Sequence, residues 1–325
     1  MKQKRIVVSI CVLTFNHEKY ISNALDGFFK QKVNFNYEIL IHDDCSTDKT
    51  QEIITEYQSR YPTIIKPIFQ KTNKYSQGIR AINCRYNYPR AKGKYIAICD
   101  GDDFWEDPLK LQSQVDFLER NEDFVLTFQN SIEINEDGQL QDPPSLERFR
   151  KDRSSLELKQ GVYVFTSTIC FRNKIKEFPE EIFSVVNEDT FVVSLLGEYG
   201  RAKSLNYLKP AYYRIQSHGV WSTLNNEQRL QVRMKTYENL LKYYTKIGCW
   251  DMIIFYKKKL SYVSLGLLNS SLKKKQFSNA IRNLKNAYEN SNESFLRFAS
   301  VAFGVAINSI SYKKKLRNFR SIFYT

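Results

Sequence analysis

Tyr37-Glu38-Ile39-Leu40-Ile41-His42-Asp43-Asp44-Cys45-Ser46-Thr47-Asp48 and Tyr95-Ile96-Ala97-Ile98-Cys99-Asp100-Gly101-Asp102-Asp103 share one layout: a short apolar run that ends in a cluster of acids. Such a run, four to eight residues long and rich in β-branched and aromatic side chains, reads as a strand covered on both faces. Carboxylates placed just past a buried strand are costly for folding. They are well placed for chemistry, because in open α/β sheets the ligand crevice lies beyond the carboxyl ends of the strands. An Asp-x-Asp pair there suits a hard divalent cation, which in turn neutralises a diphosphate.

Outward from these two runs, the pattern alternates. Residues 6–13 read as a first strand, and 18–30 as a helix with Ile21, Leu25 and Phe28 on one face. Residues 37–42 give a second strand, and Ser46-Thr47-Asp48 caps a helix reaching about Ser59. A third strand is expected over 64–69, a helix over 78–91, a strand over 95–99 and a helix opened by Asp107-Pro108. Residues 124–128 and 162–171 read as later strands, joined by a polar stretch, 135–159, expected as a mobile loop. Strand alternating with helix predicts an α/β fold with a mostly parallel sheet and helices on both faces. From Asn226 onward only helices are expected, over 227–246, 250–270 and 276–290. A boundary near Leu224 therefore separates a catalytic domain, 1–224, from a basic helical domain, 225–325.

Charge follows the same division. Residues 1–224 carry 30 Lys/Arg and 30 Asp/Glu, so the net +14 resides wholly in 225–325. The six cysteines are dispersed with no C-x-x-C pair, and there are three histidines, which argues against a zinc site and for reduced thiols in a cytosolic setting. The run Ile6 to Leu13 follows Lys4-Arg5 as a signal peptide would, but no small-residue cleavage site follows it, so it is read as a strand. No stretch reaches the ~18 apolar residues of a spanning helix.

The ordered set Ser9…Thr14-Phe15-Asn16, Asp43-Asp44-x-Ser46-Thr47-Asp48 and Gly93-Lys94-Tyr95-Ile96…Asp100-Gly101-Asp102-Asp103 resembles the family 2 glycosyltransferases, inverting enzymes with the Rossmann-like GT-A fold, over roughly residues 6–222. The resemblance implies a nucleotide-sugar donor, most naturally UDP-linked, with Thr14, Asn16, Asp44 and Asp100 at the nucleotide. Asp44 would accept from the imide N–H of a uracil-like base, since a carboxylate accepts but does not donate. Asp102, with Asp100, would ligate Mg²⁺ or Mn²⁺. Asp189, in Asn187-Glu188-Asp189-Thr190-Phe191, would deprotonate the acceptor hydroxyl, with Glu188 positioning the acceptor or raising the pKa of the base. In the stretch Tyr212 to Ser222 relatives commonly carry a His where this chain has Gln216. His218, two residues later, is a substitute contact for metal or phosphate, or a polar loop residue. Arg80 and Arg85 are either diphosphate partners or solvated surface groups.

Plainer readings accompany each motif. Asp43, Asp44 and Ser46 would cap the following helix, the 100–103 acids would form a solvated turn, and Glu188 and Asp189 would complement a helix N-terminus. No Q-x-x-R-W motif follows the base, which favours adding one sugar per encounter. The lysine triplets at 257–259, 273–275 and 313–315, with the apolar segment around Phe303, suggest docking on an anionic membrane. The alternative is a solvated bundle used for homodimerisation. Nucleic acid ranks last, because no recognition motif accompanies the charge. The expected setting is the cytoplasmic face of a membrane, with a lipid-linked glycan acceptor in surface-polysaccharide synthesis. The rivals are a nucleotidyltransferase and a non-enzymatic basic adaptor.

Overall fold

A computed structural model describes residues 5–141, 151–291 and 293–310, and the chain divides into two compact units, Met1–Thr223 and Leu224–Thr325. The first unit runs β1 (Ile6–Thr14), α1 (Ile21–Phe29), β2 (Asn36–Asp43), α2 (Thr50–Arg60), β3 (Ile65–Phe69), β4 (Tyr95–Ile98) and β5 (Phe104–Trp105). It continues through α3 (Lys110–Arg120), β6 (Phe124–Phe128), β7 (Ser131–Ile134), α4 (Ser155–Lys159), β8 (Cys170–Arg172), α5 (Glu188–Leu196), β9 (Arg201–Ser204) and β10 (Ala211–Arg214).

Seven strands form one sheet in the order β3-β2-β1-β4-β8-β6-β9. β3, β2, β1 and β4 are mutually parallel, β8 is antiparallel to both its neighbours, and β9 runs parallel to β6. The sheet is therefore mostly parallel, as the alternating pattern led one to expect. Every residue from Val8 to Val12 is buried, so both faces of β1 are covered, and its Ile-Val-rich sequence suits that position. Register fixes the functional edge: Thr14 lies opposite Asp43, and Cys11 opposite Ile98. The ends of β1, β2 and β4 thus open on one side of the sheet. Chain order reverses between β1 and β4, and such a reversal is where α/β sheets leave a crevice.

A second sheet, β5-β10-β7, was not foreseen. Its strands are two to four residues long, too short to show a period. It seats Trp105, whose ring meets Phe28 edge-on at 4.8 Å and whose indole N–H donates to the Ser167 carbonyl at 2.7 Å. Gly27 permits this, because a Cβ there would stand 2.7 Å from the Trp105 carbonyl oxygen.

Three further expectations need correction. Residues 78–91 hold no single helix: Gly78 and Ala81 take left-handed backbone (φ 83° and 54°), leaving a wide turn over Asn83–Asn87 and a tight one over Tyr88–Arg90. In place of a strand over 162–171, only Cys170–Arg172 joins the sheet, preceded by a tight turn at Thr166–Thr168. The stretch 135–159 is not all loop. A turn closes at Asn135–Gln139, and α4 is fixed by a reciprocal cap between Ser154 and Glu157, while residues 142–150 fall outside the described ones.

The second unit is helical: α6 (Asn226–Lys246), α7 (Trp250–Lys273), α8 (Phe277–Glu289) and α9 (Phe295–Ile310). Asn225 and Gln228 cap α6 reciprocally, and Gly248, at φ 71°, turns the chain into α7. Leu265, Leu268, Ala280, Ala287, Phe298, Ala302 and Val305 form a core among the last three helices. Among the described residues no helix is long and apolar enough to cross a membrane. The Lys313–Lys315 triplet lies outside them.

Candidate active site

The end of β1 and the loop after β2 are stitched together before any ligand is considered. Asn16, in left-handed backbone at φ 56°, a conformation Asn tolerates better than most residues, donates its N–H to Ser46 Oγ at 2.8 Å. Its side-chain oxygen accepts from the Thr47 N–H at 2.8 Å. Asp43 is fully buried and accepts from the Ser46 N–H and from Gln51. None of the three expected caps occupies the N-cap of α2, which is Lys49 with no side-chain bond, although Asp48 just before it accepts from the Thr50 N–H at 3.0 Å. Asp44 accepts from the N–H groups of Lys74 at 2.7 Å and Tyr75 at 2.9 Å. The second acidic residue of this motif therefore shapes the 74–75 turn, with lone pairs left over for another donor.

The loop after β4 packs against the same edge. The Gly101 N–H donates to the Leu13 carbonyl at 2.8 Å, and a Cβ on Gly101 would lie 2.9 Å from Thr14 Oγ1 and 3.0 Å from His17 Nδ1. Thr14 Oγ1 and His17 Nδ1 are buried without a hydrogen-bond partner. Orphaned polar atoms at the mouth of a sheet crevice mark a place where a ligand's own groups would complete the bonding.

Carboxylates converge here. Asp100 is pushed up to about 8, first by burial and then by the charges of Asp102, Glu188 and Asp189, so residues 88 positions apart share one electrostatic environment. Asp103 is buried and also raised, held by the Arg214 N–H at 2.9 Å. Asp102 faces a different pair: Gln216 Nε2 donates to its Oδ2 at 2.5 Å, and His17 Nε2 lies 3.9 Å from the same oxygen. Gln216 and His17 are themselves 3.3 Å apart. His218 is felt instead at Glu136, whose carboxylate is held below its usual range first by the bonds from Ser217 and to a lesser degree by His218. His17 is the residue that sequence reasoning passed over. Its signal was its place directly after Thr14-Phe15-Asn16, at a strand end already suspected.

Glu188 and Asp189 open α5, whose remaining turns from Phe191 to Leu196 are buried. Their environments differ. Glu188 accepts from the N–H groups of Asn83 at 3.1 Å and Cys84 at 3.3 Å, and burial pushes it up to about 7. Asp189, also raised by burial, is bonded locally by the Thr190 N–H and its own N–H, and by Thr166 Oγ1 at 3.5 Å. Glu188 is tied to the distant Asn83–Cys84 turn, whereas the bonds to Asp189 are local or long. Arg80 and Arg85 turn onto the protein itself, Arg80 over the Tyr75 ring at 4.1 Å and Arg85 over Phe183 at 4.2 Å.

Among the described residues no three His, Cys, Asp or Glu side chains form a ready-made metal cage, and Asp100 and Asp102 offer two carboxylates one residue apart. The charge crowding has a measurable consequence. A carboxyl whose folded pKa exceeds its ordinary value binds its proton more tightly when folded, so it favours the fold at low pH and ceases to as pH rises. With Asp100 moved from 3.8 to about 8, the ligand-free protein should lose stability progressively across that window. Asp100→Asn should flatten the loss. Denaturant midpoints taken from pH 5 to 8.5 would show it, and a stability that rose over that range in the wild type alone would contradict the assignment.

Comparison with known proteins places this geometry. The chain is 33% identical over 224 residues to curated proteins of Mycobacterium tuberculosis and spans 62% of their length. It is 33% identical over 221 residues to WfaP of Escherichia coli, named as a UDP-Glc:alpha-D-GlcNAc-diphosphoundecaprenol beta-1,3-glucosyltransferase, covering 66% of this chain and 79% of WfaP. Among solved structures, TarS 1–349 of S. aureus in complex with UDP-GlcNAc matches with a TM-score of 0.63 at 18% identity, over 94% of this chain and 89% of that one. The likeness shows the fold, which is the GT-A arrangement expected from sequence. The sequence model for glycosyl transferase family 2 matches residues 9–178, more than half of the chain, and spans all the strand ends that converge on the crevice except the start of α5 and the 212–222 loop. With that match and a relative one third identical over most of its own length, the chain belongs to glycosyl transferase family 2.

Proposed function

We propose that the chain transfers one sugar, with inversion, from a UDP-sugar to a hydroxyl of a lipid-linked glycan, with a divalent cation at Asp100 and Asp102. The observation that carries this reading is the convergence of Asp102, Glu188 and Asp189 on Asp100 beyond the strand ends. Four carboxylates so placed repel one another, and a cationic or hydrogen-bonding ligand relieves that repulsion. Two carboxylates without a full protein cage fit Mg²⁺ or Mn²⁺, which are commonly held by one or two carboxylates while substrate phosphates complete the sphere. When bound, the cation would offset the charge gathering on the departing diphosphate. The donor and acceptor classes rest on the name of WfaP, whose acceptor is a diphosphoundecaprenol-linked sugar.

The residues then divide the work. Asp44 and the 74–75 turn it holds form the base side of the nucleotide pocket, and Thr14 Oγ1 offers a buried hydroxyl at the strand end. Asn16 keeps the two strand-end loops in register. Gln216 fixes the Asp102 carboxylate. Asp189 takes the proton from the acceptor hydroxyl as its oxygen attacks the anomeric carbon, and the bond from that carbon to the phosphate oxygen breaks with its electron pair leaving on the diphosphate. Raised by burial, Asp189 is a stronger base than a solvated Asp.

Thermal shift with UDP-sugars, with and without Mn²⁺, tests the reading. A donor at about a hundred times its Kd stabilises by about 2.7 kcal/mol, a rise of several degrees in Tm. The rise should require the cation. No shift with any nucleotide sugar would return the protein to the adaptor class, and a cation-independent shift would remove the metal from the proposal.

A further inference from the structure

Helix α8 turns the wrong residues outward for a protein that ends at its own surface. Its buried positions are Ala280, Asn283 and Ala287, all small or polar. Its large apolar residues point away: Phe277 is 66% exposed, Ile281 69% and Leu284 37%. Spaced four and three residues apart, they line one face. A contiguous exposed apolar stripe marks an interaction surface. Tyr288, one turn further, leans its ring on Phe298 at 5.2 Å and continues the apolar line into the core.

Charge surrounds the stripe. Lys273, Lys274 and Lys275 lead into the helix, and Arg282 and Lys285 ride on it. The described part of this unit, 224–310, holds 14 Lys/Arg against 5 Asp/Glu, so the field at the stripe is positive. Two copies meeting here would bring like charges together, which costs association. Lys274 and Lys285 pair with Glu227 and Glu289, yet the excess of Lys/Arg over Asp/Glu in this unit would go unanswered by an apolar partner of neutral charge. A surface that is apolar within and anionic at its rim satisfies both features at once: large side chains enter the acyl boundary while lysine and arginine stems reach back to phosphate headgroups.

We infer that the Phe277–Ile281–Leu284 face of α8 is the site at which the protein lies on an anionic lipid bilayer. The inference deepens the proposed function, because a lipid-linked acceptor is met at such a surface. It adds a second apolar face to the segment around Phe303, where sequence alone had put the membrane contact and where the Phe303 ring is itself 68% exposed.

Co-sedimentation of the full chain with vesicles tests it without donor or acceptor, so failure here leaves the transferase reading standing and failure of that reading leaves this result interpretable. Vesicles of phosphatidylcholine with phosphatidylglycerol should bind the protein, and vesicles of phosphatidylcholine alone much less. Raising salt from 0.1 to 1 M should release it, since the Debye length shrinks from about 10 to about 3 Å. F277S/I281S should bind about tenfold or more weakly, as expected for withholding two large side chains from an apolar phase. R282Q/K285Q, which leaves the apolar stripe intact, should lose about fivefold per charge. Both substitutions are at exposed positions, and an unchanged Tm and circular dichroism spectrum would show the fold retained. If F277S/I281S proves unstable, the charge variant carries the test. Binding indifferent to lipid charge, or wild-type binding by both variants, would overturn the inference. So would a wild-type dimer in light scattering that F277S/I281S converts to monomer with vesicle binding unchanged, which would make the face a self-association surface.

Discussion

Asp189→Asn should leave donor affinity within a few fold of wild type and lower transfer by ~10²–10⁴-fold, the loss expected when a general base is removed. The structure sharpens this beyond the pairing of two acids in sequence. Glu188 receives two backbone N–H groups, from Asn83 and Cys84, so its carboxylate is engaged in holding a distant turn against the start of α5. Asp189 has no such obligation and stands beside it at the same helix end. Glu188→Gln should therefore act through position. It keeps one acceptor oxygen for the two amides, so it should cost stability and some turnover, while the pH dependence of transfer keeps the ionisation of Asp189. Steady-state kinetics of both variants against pH would decide it. A larger loss of kcat in Glu188→Gln than in Asp189→Asn would exchange the two assignments.

The second large effect is expected at Asp102. Asp102→Asn should abolish cation-dependent donor binding while the fold persists, because an amide is a poor ligand for a hard cation and Asp102 is only partly buried. Its carboxylate oxygen receives the Gln216 amide at 2.5 Å with His17 3.9 Å away, so a side-chain amide there also changes what the 214–222 segment can bond to. Calorimetry of UDP binding at zero and saturating Mn²⁺ checks both points. Unchanged affinity with unchanged cation dependence would remove Asp102 from the site. Gln216→Ala should produce a milder version of the same defect, weaker donor binding with the cation dependence preserved.

The strand ends were legible because each carries its signal within ten residues: an apolar run, then acids or Asn and Thr. Thr14, Asp44, Asp100 and Asp102 could be named from that pattern, and the register of β1 against β2 and β4 explains why they share an edge. The short second sheet could not be read. Phe104-Trp105 is a two-residue strand whose partner lies more than a hundred positions away at Ala211–Tyr212, and no local period announces such a pair. His17 and Gln216 meet at Asp102 only through that sheet and the loop behind it. The tethering of Glu188 to Asn83 and Cys84 was hidden for another reason: those residues read as the middle of a helix, and only the left-handed backbone at Gly78 and Ala81 breaks that helix and exposes their N–H groups.

Arg214 closes the last turn of β10 by donating to the carbonyls of Asp102, Asn135 and Glu136, while its own N–H reaches Asp103 and its guanidinium lies 4.4 Å over the Tyr20 ring. Glu136 in turn accepts from the Ser217 N–H. For protein engineering this makes the segments 133–139 and 211–223 one transplantable cassette anchored on Asp102 and Asp103. An exchange of the 215–223 loop from another family member would supply its own partner for Glu136 or arrive with that anchor severed. Chimeras that move residues 133–139 together with 211–223 should remain folded where single-loop swaps do not.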